Sequence, residues 1–223
     1  MFKIAIDGPS GAGKSSIAKA LAKEMGIVYV DTGALYRTIG YYVRSKDVEP
    51  KDGEGVTRLL PEILIEVKYE NGSQYVYLNG ENLGDRIREP EISMYASAVS
   101  AIPSVREFLL ETQRSIARAN SVVMDGRDIG TVILPDAEVK IFLTASDECR
   151  AMRRCLELKE KGIETSYEEV LADMRERDYN DKNRAVAPAV PAPDSVFLDN
   201  SGYTVEETLV EVMKIISGKL ANL

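Results

Sequence analysis

Gly8-Pro9-Ser10-Gly11-Ala12-Gly13-Lys14-Ser15 is the stretch that decides the fold, because it matches the pattern Gly-x-x-x-x-Gly-Lys-Ser. The largely apolar residues 2–6 precede it, and a helical pattern over residues 16–22 follows it. In this strand–loop–helix context the glycines allow the backbone to curl until successive N–H groups converge, and the helix presents its positive end at the same point. The stretch therefore predicts a loop that binds the phosphates of a nucleoside triphosphate.

The residue types within this loop predict separate roles. Lys14 supplies a mobile positive charge for the terminal phosphates, and the Ser15 hydroxyl is placed to ligate Mg²⁺. The backbone around them is expected to hold the rest of the triphosphate of ATP. The candidate donor-nucleotide residues are Gly8, Pro9, Ser10, Gly11, Ala12, Gly13, Lys14, Ser15 and Ser16.

The composition restricts the class of protein. A chain of 223 residues suits one domain, and a net charge of −8 without a long basic run argues against nucleic acid or an anionic membrane as a partner. No signal-peptide pattern or bilayer-spanning run is visible. Cys149 and Cys155 are expected to be free thiols in a reducing compartment. We expect a soluble cytoplasmic protein, with a monomer as the default state.

Short apolar runs alternate with helical stretches along the chain. This alternation predicts an α/β fold of the P-loop NTPase type, with a five-stranded parallel sheet flanked by helices. Ligands of such sheets gather at the carboxyl ends of the strands, where this chain places Asp and Thr side chains. The predicted strands are residues 3–7, 28–31, 122–125, 140–144 and 196–199, and the polar residues at their ends are Asp7, Asp31, Asp125, Thr144 and Asp199.

One region departs from this pattern. Residues 63–69 and 74–78 alternate apolar and polar side chains, and turn signals at residues 70–73 and 79–80 indicate a small antiparallel meander. The meander belongs to an insert, which is either a flap beside the site or an elaboration without function. We expect one kinase-like domain with a core (about residues 1–46, 85–149 and 186–223), a β insert (about 47–84) and an arginine-rich helical lid (about 150–185).

Two further segments carry charged residues at the predicted reactive edge. Asp125 ends a strand, where P-loop proteins place an acid that holds Mg²⁺ directly or through water. Arg127 and Asp128 follow between glycines and suit ligand binding, although a salt bridge that holds the loop is the alternative. Asp31 or Thr32 can cap a helix, but neither explains Arg37, whose charge opposes the helix dipole and favours a second phosphate as its partner.

Arginines are concentrated in the predicted lid. The helix that carries Arg150, Arg153 and Arg154 is followed by Arg175, Arg177 and Arg184, with Asp178 and Asp181 among them. Solvated ion pairs are a plausible role for any one of these arginines. As a group they favour a lid that brings positive charge over bound ATP and excludes water.

Four motifs together resemble those of the bacterial cytidylate kinases. They are Gly-Pro-Ser-Gly-Ala-Gly-Lys-Ser at residue 8, Asp-Thr-Gly-Ala-Leu-Tyr-Arg at residue 31, Asp-Gly-Arg-Asp-Ile-Gly-Thr at residue 125 and Arg-Asp-x-x-Asp-x-x-Arg at residue 177. The resemblance runs from the first strand to the last helix and includes the enlarged insert, which it identifies as nucleoside monophosphate-binding. It implies transfer of a phosphoryl group from Mg·ATP to CMP or dCMP, a reaction of pyrimidine nucleotide metabolism.

The resemblance also implies roles for individual residues. Side chains at three sets of positions would hold the acceptor nucleotide, contact cytosine, or bind the sugar and phosphate. The first set is Thr32, Tyr36 and Arg37, the second is Ser97, Arg106 and Asp128, and the third is Arg177, Asp181 and Arg184. The candidate catalytic residues are Lys14, Arg127, Arg153 and Arg177. The candidate metal ligands are Ser15 and Asp125.

Alternatives remain open at the level of the sequence. The chain contains no histidine, which excludes imidazole chemistry but suits a phosphate acceptor, because a dianion needs no general base. Another small-molecule kinase could act on UMP or on a metabolite alcohol, for which Asp31 is the only obvious base. A regulatory nucleotide switch is less favoured, because the Asn-Lys-x-Asp guanine signature is absent. An RNA-binding protein is disfavoured by the net charge.

Overall fold

The computed structural model describes residues 1–70 and 73–221. Strands and helices alternate along most of this length. The strands are β1 (Lys3–Asp7), β2 (Val28–Asp31), β3 (Ile65–Glu70), β4 (Ser73–Leu78), β5 (Glu81–Asn82), β6 (Val122–Gly126), β7 (Val139–Thr144) and β8 (Val196–Asp199). The helices are α1 (Lys14–Met25), α2 (Thr32–Ser45), α3 (Gly53–Leu59), α4 (Pro90–Val99), α5 (Pro103–Ala119), α6 (Asp147–Glu160), α7 (Tyr167–Asn183) and α8 (Val205–Leu220).

The predicted five-stranded parallel sheet is confirmed, with the strand order β2-β6-β1-β7-β8. β7 pairs in parallel with β1, where Ile4 lies opposite Val139, and with β8, where Ile141 lies opposite Val196. β1 is a central strand, and its residue Ile4 is fully buried. A strand covered on both faces needs apolar side chains, which accounts for the sequence of β1. The order places the loop after β1 near the middle of the sheet edge, the usual ligand position in doubly wound folds.

The predicted meander is also confirmed. β3 and β4 pair antiparallel, with Val67 opposite Val76, and β4 pairs antiparallel with β5. The predicted turn over residues 70–73 includes residues 71 and 72, which lie outside the described residues. The alternation of side chains along β4 buries Val76 and Leu78 on one face and leaves the other face partly wet.

The chain divides into two compact units, Met1–Gly26 with Val123–Leu223, and Ile27–Val122. The second unit has its own apolar core, formed mainly by residues of α2, α4, α5 and the small sheet. Within it α2 and α4 pack closely at Gly40. A Cβ at this position would lie only 2.9 Å from the backbone nitrogen of Ala96 in α4.

In the first unit, α6 and α7 pack on one another through Ala151, Leu158, Val170 and Met174. α7 begins at a capping box, in which Ser166 and Glu169 satisfy each other's backbone N–H groups. No helix of the described residues is long and apolar enough to cross a bilayer.

Gly8 gives a direct test of how closely the loop approaches the sheet. Its φ is +150°, and a Cβ there would lie 1.9 Å from the carbonyl oxygen of Leu143 in β7. We expect Gly8→Ala to lower the free energy of unfolding by about 3 kcal/mol or more, measured by urea denaturation.

Gly218→Ala is the matched control for this substitution. Gly218 lies in α8, and a Cβ there would meet nothing within 4 Å. Alanine is the better helix former, so this variant should gain about 0.5–1 kcal/mol. Equal stability of the Gly8 and Gly218 variants would show that the loop does not depend on the close approach to β7.

Candidate active site

The loop between β1 and α1 has the conformation that the sequence predicts for phosphate binding. Gly11 and Gly13 have φ values of +71° and +85°, which L-residues with side chains rarely adopt. Lys14 is 6% exposed, and its Nζ donates to the carbonyl oxygen of Pro9 at 2.6 Å. The side chain of Lys14 therefore folds back onto its own loop.

Two predicted metal ligands lie together at this loop. The hydroxyl of Ser15 donates to Oδ2 of Asp125 at 2.7 Å, so the two oxygens are adjacent. Hard oxygen donors of this kind suit Mg²⁺, which takes one or two protein ligands and fills its other positions with water and phosphate. Within residues 1–70 and 73–221 no cluster of three or more His, Cys, Asp or Glu forms a self-sufficient metal site. The oxygens of Ser15 and Asp125 are of the type that Mg²⁺ takes as ligands.

Positive charge is concentrated around Lys14. Burial lowers the pKa of its ammonium group well below the ordinary value, the charges of Arg127 and Arg177 lower it further, and Asp125 opposes them. A cluster of buried cations is electrostatically unfavourable unless an anion joins it. The arrangement is therefore suited to a polyanionic ligand at the loop.

Arg127 of the loop after β6 forms a buried ion pair with Asp181 of α7. Nε of Arg127 donates to Oδ2 of Asp181 at 2.9 Å, and both side chains are largely buried. Burial by itself would raise the pKa of Asp181, but the charges of Arg127, Arg177 and Arg184 lower it below its ordinary value. Asp181 is therefore an anionic acceptor within a group of guanidinium ions.

Asp7 anchors the loop after β6 through two hydrogen bonds. Its carboxylate accepts hydrogen bonds from the N–H groups of Ile129 at 2.8 Å and Gly130 at 2.7 Å. Residues Ile129–Ile133 form one π-helical turn, a conformation that is frequent at functional sites. Asp128 precedes this turn and accepts from Nη2 of Arg184 at 3.3 Å. The predicted site residues Asp128 and Arg184 thus form a buried ion pair.

The arginines of α6 and α7 fall into two groups. Arg154 pairs with Glu157, and Arg175 with Asp147 and Glu148, on the partly exposed or exposed surface, where ion pairs contribute little to stability. Arg154 and Arg175 therefore form solvated ion pairs, the alternative role that the sequence left open for single arginines of the lid. Arg150, Arg153 and Arg177 contact or influence the loop region instead.

Arg150 is buried and contacts the phosphate loop directly. Its Nη1 donates to the carbonyl oxygen of Ser10 at 2.7 Å and to Asp178, and its Nε donates to the carbonyl of Ala145 at 3.0 Å. Asp178 in turn accepts from the N–H of Ser10 at 2.9 Å. Both backbone groups of Ser10 are therefore bonded to the lid helices.

The remaining predicted residues lie in the unit of residues 27–122. Asp31 caps α2 by accepting from the N–H of Ala34 at 2.9 Å, and its other oxygen accepts from Arg37 at 2.8 Å. Gln74 of β4 bonds both backbone groups of Asp31, at 2.9 and 3.2 Å. The sequence favours a phosphate as the partner of Arg37. In this structure the guanidinium of Arg37 is paired with the Asp31 carboxylate.

Tyr36 and Arg106 lie together in the same unit. The guanidinium of Arg106 lies 5.6 Å from the centre of the Tyr36 ring, and its Nη1 donates to the carbonyl of Ser100 at 3.1 Å. Thr32 is buried and Ser97 is partly buried, on α2 and α4 respectively. The contact between Tyr36 and Arg106 brings together an aromatic ring and a guanidinium, which suits a nucleotide.

Several contacting residues have no role predicted from the sequence. They are Asp7, Gln74, Asp178 and Asn200, and each acts through a partner distant in sequence. Asp178 lies inside a recognised motif, which was a signal that it belongs to the site. Gln74 and Asn200 stand in segments without any chemical pattern, so no local signal identifies them.

Comparison with known proteins agrees with this geometry. A family model described as cytidylate kinase matches residues 4–218. The cytidylate kinase of Caldicellulosiruptor saccharolyticus is 48% identical over 221 residues, covering 99% of this chain and 98% of that protein. That of Fervidobacterium nodosum is 50% identical over 214 residues, covering 96% and 95%. The chain therefore belongs to the cytidylate kinase family.

Solved structures show the fold more broadly. A gluconokinase from Sinorhizobium meliloti 1021 aligns with a TM-score of 0.50 at 16% identity, covering 99% of this chain and 94% of that chain. At this identity the likeness extends to the fold alone. It shows that the sheet and its flanking helices are shared with other small-molecule kinases.

Asp7 yields a prediction on pH dependence. Burial, partly opposed by the hydrogen bonds from Gly130 and Ile129, raises its pKa from 3.8 to about 6. A raised carboxyl pKa favours the protonated folded state, so this contribution to stability is complete below about pH 3.8 and is lost as the pH rises through about 6. We expect the stability of the wild type relative to Asp7→Asn to fall by about 2–3 kcal/mol between about pH 4 and pH 7.5.

Urea denaturation at the two pH values measures this difference, and titration of the Asp7 carboxyl by carbon NMR checks its origin. The NMR midpoint should lie near pH 6. A midpoint near the ordinary value of an aspartate, together with a pH-independent stability difference, would contradict the prediction.

Proposed function

We propose that this chain transfers the γ-phosphoryl group of ATP to CMP or dCMP, giving CDP or dCDP and ADP, the activity of the family to which it belongs. The observation that carries the proposal is the clustering of Lys14, Arg127 and Arg177, whose charges lower the pKa of the buried lysine. Phosphoryl transfer is catalysed mainly by positioning and by positive charge around the transferring group. A cluster of this kind supplies that charge at the mouth of a phosphate loop.

The donor triphosphate is proposed to bind along residues 8–16, with Lys14 at its terminal phosphates. Ser15 and Asp125 would hold Mg²⁺, which neutralises charge on the phosphate oxygens when it is bound. Arg127, Arg153 and Arg177 are proposed to stabilise charge on the donor and the transferring group. Support for these roles comes from the burial of Lys14 and from the adjacent oxygens of Ser15 and Asp125.

The acceptor nucleotide is proposed to use three groups of residues. Thr32, Tyr36 and Arg37 would hold the nucleotide, and Ser97, Arg106 and Asp128 would contact cytosine, whose edge offers one amine donor and two acceptors. The sugar and phosphate would be bound by Arg177, Asp181 and Arg184.

Existing ion pairs support this proposal, because each of them holds two of the same side chains together in the structure without a ligand. Arg184 is paired with Asp128, and Arg127 with Asp181. A phosphate dianion can replace Asp128 as the partner of Arg184, while the freed Asp128 carboxylate accepts from the amine of cytosine. Preorganisation of this kind reduces the cost of ordering side chains on binding.

A phosphate acceptor also accounts for the absence of a base. The chain contains no histidine, and Asp31 is engaged in a helix cap and an ion pair with Arg37. An acceptor phosphate is largely a dianion near pH 7 and needs no proton removed. An alcohol acceptor would need a general base.

We further propose that the chain works as a cytoplasmic monomer without nucleic acid or membrane partners. Its net charge of −8 disfavours binding to a nucleic acid or an anionic membrane, and both cysteines are free thiols, as expected in a reducing compartment. The proposed division remains a core, a β insert (about residues 47–84) and an arginine-rich lid (about residues 150–185).

The first experiment measures ADP release with Mg·ATP and a panel of acceptors: CMP, dCMP, UMP, AMP, GMP, dTMP and shikimate. We expect rapid turnover with CMP and dCMP, weak turnover with UMP and none with the others. Omitting Mg²⁺ should abolish the activity, because the charge on the phosphates is then not neutralised. Absence of turnover with every monophosphate would overturn the proposal, and turnover with shikimate alone would favour an alcohol acceptor.

Asp128→Ala tests the proposed contact with cytosine. Loss of a charged hydrogen bond of about 1.5–3 kcal/mol should raise the KM for CMP at least about tenfold and weaken the preference for CMP over UMP. The KM for ATP should change little. The control is Asp136→Ala, which removes an exposed carboxylate paired with Lys3. Unchanged CMP kinetics in Asp128→Ala would remove this residue from the acceptor site.

A further inference from the structure

The carbonyl groups of the phosphate loop have donors of their own. For amide N–H groups to converge on an anion, the carbonyls of the same peptides must point outward, and each then needs a hydrogen-bond donor behind the loop. The carbonyl oxygen of Ser10 accepts from Arg150 at 2.7 Å, and that of Ala12 accepts from Asn200 at 3.1 Å. The carbonyl of Gly13 accepts from the N–H of Ile17 at 3.1 Å, in the first turn of α1. The loop is therefore supported by an outer layer of donors.

Asn200 is the member of this layer that joins most parts of the site. It is 3% exposed and follows β8 directly. Its side-chain amide donates to Ala12, while its Oδ1 accepts from Nη1 of Arg153 at 3.1 Å. Its backbone N–H donates to the carbonyl of Thr144 at 2.8 Å, and its carbonyl accepts from Nη2 of Arg153 at 2.8 Å. Each polar group of the residue is thus bonded.

The orientation of the Asn200 amide follows from its partners. A guanidinium has only donors and a carbonyl oxygen has only acceptors, so Oδ1 must face Arg153 and Nδ2 must face Ala12. A carboxylate would satisfy the arginine but not the carbonyl. An asparagine, unlike an aspartate, can bond both partners at once.

We propose that Asn200 is a positioning residue for ATP, which turns the Ala12 carbonyl away from the phosphates and fixes the guanidinium of Arg153 through its own Oδ1 and carbonyl oxygen. With this peptide fixed, the N–H groups that follow in the loop are directed inward before nucleotide binds. The amide of Asn200 packs beside Gly13, where a Cβ would lie 3.8 Å from Nδ2. The inference rests on the proposed function, since it assigns a role at the proposed donor loop.

Two variants separate the contacts. Asn200→Asp keeps the acceptor for Arg153 but cannot donate to Ala12, and Asn200→Ala removes both side-chain contacts without adding charge. We expect each to raise the KM for ATP, and the Kd of a non-hydrolysable ATP analogue, about 3- to 10-fold, the equivalent of one hydrogen bond. The KM for CMP should remain within about twofold. Lys214→Gln, on the exposed surface of α8, changes net charge as Asn200→Asp does and should leave both constants unchanged.

Hydrogen exchange of the nucleotide-free protein gives a readout that does not depend on turnover. Amides of residues 11–14 should exchange faster in both Asn200 variants than in the wild type and in Lys214→Gln. The rise in the KM for ATP should persist at high salt, because it does not arise from charge repulsion.

The outcomes distinguish this inference from the proposed function. If the wild type neither binds the ATP analogue nor phosphorylates CMP, the proposed function fails. If the wild type is active and both variants keep its KM for ATP and its exchange rates, only the role of Asn200 fails. An effect confined to Asn200→Asp and removed by salt would indicate added charge, and equal increases in both KM values would indicate general destabilisation; either result overturns the proposal.

Discussion

The crowding of positive charge around the phosphate loop is the constraint on which the rest of this site depends. Lys14 is buried close enough to Arg127 and Arg177 for their charges to lower its pKa. Such a group is stable without a ligand only if carboxylates compensate it. Asp125 and Asp178 raise the pKa of the lysine, so they provide that compensation within the same unit. The negative net charge of the whole chain therefore coexists with a strongly positive local site.

The compensating carboxylates also determine the arrangement of the lid helices. Asp178 of α7 bonds the N–H of Ser10 and the guanidinium of Arg150, and Arg150 of α6 bonds the carbonyl of Ser10. Gly11 lies directly against them, because a Cβ there would be 2.8 Å from Cε of Met174. The helices that supply the arginines are thus packed against the loop they serve. Geometry of this precision is what phosphoryl transfer requires, because its catalysis depends on placement rather than on proton transfer.

The sequence allowed most of the fold to be predicted. The strands of the main sheet and of the meander agree with prediction to within about two residues at their ends, because hydrophobic period and turn residues are local signals. The site was predicted in part. Ser15 and Asp125 do meet, and Asp31 does cap α2, as their motifs indicated. The ion pair between Arg37 and Asp31 was not predicted. Whether Arg37 pairs with Asp31 or with a phosphate depends on which groups the tertiary structure brings next to α2.

What the sequence by itself determined is the phosphate loop, the class of sheet around it and, through four motifs, the family. The loop and each single strand follow from backbone preference and side-chain type over a short stretch of chain, and the alternation of strands with helices indicates the parallel sheet. Only the tertiary structure decided which groups orient the loop. Asn200 and Ala12 are 188 residues apart, and Asp7 and Gly130 are 123 residues apart. Such contacts carry no local pattern, because a single asparagine or aspartate becomes a partner only when the sheet brings distant strand ends to the same edge.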